Sequence, residues 1–227
     1  MGRAYVVVEG HGEQEAIRNL ATKLWADLGL PPVVWAPPIR GTDVKTQAGV
    51  LRSCELLRSH GDCDRALLLR DADDTDDCPA TSGPETAAWV AAAKLPFPVA
   101  VVLARREYEA WFLACLPAIA GREIRPGVAI PAGTVFEGDP EEKRDAKGAL
   151  TEHYPRGKAY RPSTDQLVLT RMLDFAMLRA RNVRAFGTLE RALRFLAAPG
   201  EASVYPPRRG EARRTELPPG PRKRRAR

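Results

Sequence analysis

The chain predicts an α/β fold, a mainly parallel four-stranded sheet flanked by helices with a C-terminal helical subdomain. Three observations predict it. First, Tyr5–Val8, Val33–Trp35, Ala66–Leu69 and Pro98–Ala104 are short apolar runs, too short for amphipathic helices and suited to buried strands. Second, the segments between them carry apolar residues at helical spacing, and alternating strands and helices call for a parallel sheet with crossover connections. Third, the strands run into acids: Glu9 follows Val8, Asp71 and Asp73 follow Leu69-Arg70, and Glu107 and Glu109 follow Arg105. Open α/β sheets bind ligands at the carboxyl ends of their strands.

Taken in order, residues 13–29 read as a helix. Ala16, Ile17, Leu20, Leu24 and Leu28 face inward, and Gly29 stops it. Val33–Trp35 lies between prolines, which suits an edge strand. Residues 39–46 form a polar loop, and residues 47–59 the next helix, with Val50, Leu51, Cys54 and Leu57 inward. After the acidic strand and its loop, Pro84 opens an alanine-rich helix that runs to Lys94. Beyond Arg105-Arg106, the stretch Glu107 to Ala114 reads as a strand end entering a helix, with Trp111 and Phe112 as core. Residues 117–138, rich in proline and glycine, read as an irregular connection. Helical patterns return at 140–153, 164–181 and 188–197. The expected organisation is an α/β domain over 1–116, a helical extension packed on it over 117–198, and a flexible basic tail over 199–227.

Charge supports that division. Residues 201–227 hold nine Arg and Lys against three Glu, so the tail accounts for the chain's whole excess of +6 and residues 1–200 are neutral. The tail therefore carries the electrostatic signal for nucleic acid or another polyanion. Cys54, Cys63, Cys78 and Cys115 lack the paired spacing of a zinc site or redox couple. No apolar run reaches the ~20 residues of a membrane span, and the sequence enters a strand at once, so the expectation is a cytoplasmic protein without a membrane partner.

The acids carry the chemistry. Residues i and i+2 of an extended strand point the same way, so Asp71 and Asp73 can share a cation such as Mg2+. Glu9, from a neighbouring strand end, completes a three-carboxylate site. Glu13, Asp74 and Glu109 are further candidate ligands, with the alternative that acids at helix starts only complement the dipole. Arg105, Arg106, Lys147 and Lys158 are candidate phosphate contacts, the alternative being ordinary solvated charge.

A strand ending in Glu9-Gly10 and a later strand ending in Asp71-Ala72-Asp73 resemble the Toprim superfamily over roughly residues 4–115. Val8-Glu9-Gly10-His11-Gly12-Glu13 is more similar to the first motif of OLD-family nucleases, which has a further acid at its helix start. Glu107 to Ala114 and Lys158 to Gln166 resemble a bacterial family catalogued as domain of unknown function 4276, over a span that runs to about residue 197. Members of that family often resemble partners of ATPases in phage-defence operons. The resemblance implies a nuclease that uses Mg2+ or Mn2+ on DNA or RNA. Asp71 and Asp73 would hold the metal, and Glu9 would complete its shell or act as general base. It also implies an ATPase partner protein. The chain departs from many Toprim proteins in having Asp74-Thr75-Asp76-Asp77 where a glycine follows the Asp-x-Asp pair. A non-catalytic module binding a metal or a partner is the alternative. Nucleotidyl transfer is a third class, and no Gly-Lys phosphate loop accompanies it.

Overall fold

The computed structural model describes residues 2–10, 13–72 and 77–207, without the side chain of Glu13. It begins with β1 (Arg3–Val8), α1 (Glu13–Asp27), β2 (Ile39–Arg40), α2 (Gln47–Ser59), β3 (Cys63–Ala72), α3 (Pro79–Ala92) and β4 (Val99–Arg105). It continues with α4 (Ala110–Ala114), α5 (Leu116–Ile119), β5 (Glu123–Arg125), β6 (Val128–Ala129), α6 (Ala146–Glu152), α7 (Pro162–Met172), α8 (Phe175–Ala180), α9 (Arg184–Ala197) and β7 (Val204–Tyr205). The main sheet has the order β2-β1-β3-β4-β7, and every described pairing in it is parallel.

Alternation along the strands divides the core in two. Tyr5, Val7, Ala66, Leu68, Val101 and Leu103 pack against Val50, Cys54, Leu57, Ala87 and Val90 of α2 and α3. Ala4, Val6, Val8, Leu67, Leu69, Ala100, Val102 and Ala104 pack on the opposite side. There they meet Ile17, Leu20 and Leu24 of α1, all of α4, and Leu189, Leu193 and Leu196 of α9. The helices after residue 146 thus share one continuous core with the sheet. α4 is buried throughout, as Trp111 and Phe112 led one to expect.

The sheet has five strands rather than four. The fifth, β7, comes from the stretch expected to be flexible tail, and pairs Val204 and Tyr205 with Val99 and Ala100. Composition hid it, because two residues suffice to cover an edge when α9 delivers the chain there. Residues 208–227, the most basic part of the expected tail, lie outside the described residues.

Val33–Trp35 is not a strand. Only Trp35 bridges to Ala4, with Ala4 N–H donating to Val34 O (2.9 Å) and Ala36 N–H to Ala4 O (2.8 Å). The flanking prolines offer no donors to extend a ladder, so pairing resumes at Ile39–Arg40, in the segment expected to be loop.

Other differences are local. α3 starts at Pro79, placing Pro84 inside it, where its missing N–H forfeits one helical hydrogen bond. The expected helix over 164–181 is two, because Asp174 caps a new start by accepting from Met177 N–H (3.0 Å). Residues 117–138 hold α5 and the β5–β6 hairpin. α2 begins where expected: Thr46 accepts from Gly49 N–H at 3.2 Å. A Cβ on Gly49 would lie 2.0 Å from Asp43 O, so only glycine lets the entering loop come so close. No helix among the described residues is long and apolar enough to cross a membrane.

Candidate functional site

The carboxyl ends of β3 and β4 build the site. The two strands run in register to their last residues, Asp71 opposite Ala104 and Ala72 opposite Arg105. The chain then turns through Arg106, whose φ of 65° lies in the left-handed region. A non-glycine residue there costs about 1 kcal/mol or more. Arg106 N–H donates to Ala72 O (3.1 Å), and Tyr108 N–H donates to Asp71 Oδ1 (3.0 Å). The turn thereby folds over the end of β3 and brings Glu107 and Glu109 beside Asp71.

Lys147, in the first turn of α6, joins these acids. Its Nζ lies 3.0 Å from Glu107 Oε1, 3.8 Å from Glu109 Oε2 and 4.0 Å from Asp71 Oδ2. Its backbone N–H also donates to Glu107 Oε2 (3.1 Å). A lysine opposes the dipole at a helix start, so these acids explain its place. Asp145 caps α6 by accepting from Gly148 N–H (2.9 Å). A Cβ at residue 148 would meet the same carboxylate at 2.1 Å.

Glu109 is almost wholly buried, and its Oε1 accepts from Tyr160 O–H (2.8 Å). Burial pushes its carboxyl up to about 7, while Lys147 and the Tyr160 hydroxyl act in the opposite direction. Burial also works against the Lys147 charge, but the carboxylates of Glu109, Glu107 and Asp71 outweigh it, and the lysine pKa rises. Burial and the nearby Glu109 raise the Tyr160 pKa, so its hydroxyl remains a donor.

On the other face of β3, Arg70 is buried and its guanidinium holds Asp77 from both terminal nitrogens while also donating to Asp71 O (2.9 Å). Burial pushes the Asp77 carboxyl up, but hydrogen bonds from Arg70 and Ser82 and the Arg70 charge hold it below its usual range. One side chain therefore ties together the residues on either side of Asp73, Asp74, Thr75 and Asp76.

The structure gathers Asp71 and Glu109 from the expected set. Glu9 follows β1 on the strand next to β3, at the same rim, and its backbone oxygen accepts from Arg40 Nε (3.4 Å). Asp73, Asp74 and the Glu13 side chain lie outside the described residues. Of the expected phosphate contacts, Lys147 reaches the acids. Arg105 instead pairs with Glu142 and donates to Glu141 O (3.3 Å). Arg106 is partly buried, and its Nε has no partner among the described residues. Lys158 is exposed on the turn before Tyr160.

Glu107, noted at the rim but not chosen as a ligand, belongs to the cluster. Strand-end placement alone could have found it. Tyr160, inside the Lys158 to Gln166 stretch that resembles the family, and Arg70 were given no role: one comes from 51 residues beyond Glu109, the other lies in an apolar strand.

Carboxylate oxygens suit Mg2+ or Mn2+, so the donor chemistry fits a divalent ion. Among the described residues, however, no group of three His, Cys, Asp or Glu side chains is arranged to hold one. Asp71, Glu107 and Glu109 are spaced around an ammonium instead.

No curated protein and no solved structure matched the chain. A family model did match, over residues 8–194, a span that begins at the last residue of β1 and takes in α1 to α8 with the Tyr160 segment. The chain therefore belongs to the family described as Domain of unknown function (DUF4276).

Proposed function

We propose that this chain is a Toprim-type nuclease that hydrolyses phosphodiester bonds of DNA or RNA with Mg2+ or Mn2+, as the effector of an ATPase-coupled phage-defence system. The observation that carries this reading is the gathering of Asp71, Glu107 and Glu109 around Lys147 at the carboxyl rim of a parallel sheet. A bound divalent cation would supply charge neutralisation at the phosphate and a more acidic water. Asp71 and Glu109 would hold it, together with Asp73 and with Glu13 and Asp74 as further candidates. Glu9 would complete the shell or take the proton from the attacking water. Arg70 would steady the acidic segment from the opposite face, and Arg106, whose buried Nε has no partner among the described residues, would meet the phosphate.

The test is cleavage of single- and double-stranded DNA, RNA and tRNA with Mg2+ or Mn2+, alone and with the product of any ATPase gene found beside its own. Metal-dependent cleavage lost in Asp71→Asn is the expected result. No cleavage of any substrate under any of these conditions defeats the reading.

One observation favours a second reading, a non-catalytic metal- or partner-binding module. Lys147 already gives the acids a counter-charge within the chain, so the cluster can persist as a structural feature. Divalent binding without cleavage would support it.

A further inference from the structure

The acids at the rim surround a cation that the chain itself supplies. The carboxylates of Asp71, Glu107 and Glu109 are 13%, 14% and 1% exposed, whereas the Lys147 side chain is 41% exposed. The acids are walled in by protein and the lysine reaches them from the solvent side. Its anchorage is uneven. The backbone is fixed by the Lys147 N–H bond to Glu107 and by the Asp145 cap on Gly148. Beyond it runs a flexible four-carbon stem, so the ammonium can leave without disturbing α6.

Charge and distance give the reason for it to leave. Among the described residues, one ammonium is shared by three acids, which it meets at 3.0, 3.8 and 4.0 Å. A divalent ion would carry twice the charge and contact its oxygen ligands at about 2.1 Å. A divalent ion taking up these oxygens would compete with the ammonium for them.

We propose that Lys147 is an exchangeable internal cation: its ammonium holds Asp71, Glu107 and Glu109 together without metal, and a divalent ion binds by displacing it toward solvent. This rests on the metal-binding reading above, and the experiment separates the two. Mn2+ is titrated calorimetrically into the full-length wild type, Lys147→Met and Lys94→Met. Lys94 is exposed just beyond α3, at the rim where β4 begins, and controls for loss of one positive charge. Lys147→Met is expected to bind Mn2+ about tenfold or more tightly than wild type, since a close unit charge has been removed, and Lys94→Met to match wild type. Equal or weaker binding by Lys147→Met overturns the exchange and leaves the metal reading standing. No Mn2+ binding by any of the three overturns both.

Should Lys147→Met fail to fold, wild type alone decides. It is acetylated with an N-hydroxysuccinimide ester, with Mg2+ or with NaCl of equal ionic strength, and each lysine is followed by mass spectrometry. Mg2+ is expected to raise Lys147 labelling several-fold relative to Lys94. An unchanged ratio with Mg2+ shown calorimetrically to bind overturns the exchange alone; an unchanged ratio without binding overturns both readings.

Discussion

Two clusters in this molecule draw on the same chemistry and differ in how it is balanced. In the first, Asp165 at the start of α7 is fully buried and pairs with Arg125. It also accepts from Tyr154 O–H (3.1 Å), Arg161 N–H (3.0 Å) and Thr164 O–H (2.9 Å). In the second, Glu109 is equally buried, accepts from Tyr160 O–H and faces Lys147. Each is a buried acid with a tyrosine and a base. The first matches one carboxylate to one guanidinium and saturates the acid with donors. The second sets three carboxylates against one half-exposed ammonium. Saturation makes a clamp, here holding α7 to the β5–β6 hairpin. A shared, half-exposed ammonium leaves the second cluster open to solvent.

The largest expected effect breaks the clamp. Asp165→Ala strands the Arg125 charge and several donors, and should cost about 3–5 kcal/mol in urea unfolding. A loss under about 1 kcal/mol would put the two clusters in one class. Next, Asp71→Asn keeps an acceptor for Tyr108 N–H but removes one negative charge. Metal-dependent cleavage should fall by about 10²-fold or more, while the metal-free melt stays near wild type.

The third prediction concerns pH. Glu109 has a folded pKa of about 7 against an ordinary 4.5, because burial favours its neutral form. The folded state therefore binds more protons between those values, and stability falls as pH rises. The contribution is full below 4.5 and lost as pH passes 7. In EDTA, Glu109→Gln should flatten this slope and melt higher than wild type at pH 8. A wild-type slope retained in the mutant would assign it to another group. The smallest effect is at the turn. Arg106→Gly relieves the left-handed backbone and removes an Nε that has no partner among the described residues, for a gain of about 1 kcal/mol in thermal stability. Cleavage should nevertheless weaken, which separates strain kept for function from strain without consequence.

The sequence by itself determined the layered α/β fold, because period-two and period-3.6 patterns are local: Tyr5–Val8 and Ala66–Leu69 became β1 and β3, and residues 47–59 became α2. It also determined which rim carries the acids, since Asp71 and Glu109 follow directly from where their strands stop. Only the tertiary structure decided what those acids face. Lys147 and Tyr160 reach Glu109 from 38 and 51 residues away, as counted along the chain, and nothing local in either residue encodes that meeting. The same reason hid β7: a two-residue strand has no pattern to read, and becomes a strand only because the edge of β4 stands beside it. It also hid Glu141, which is buried and accepts from Arg184 and Ala185 N–H (both 2.8 Å), capping α9 from a distant loop. Patterns along a chain report which surfaces must be buried; the partners of a buried charge are chosen by packing in three dimensions.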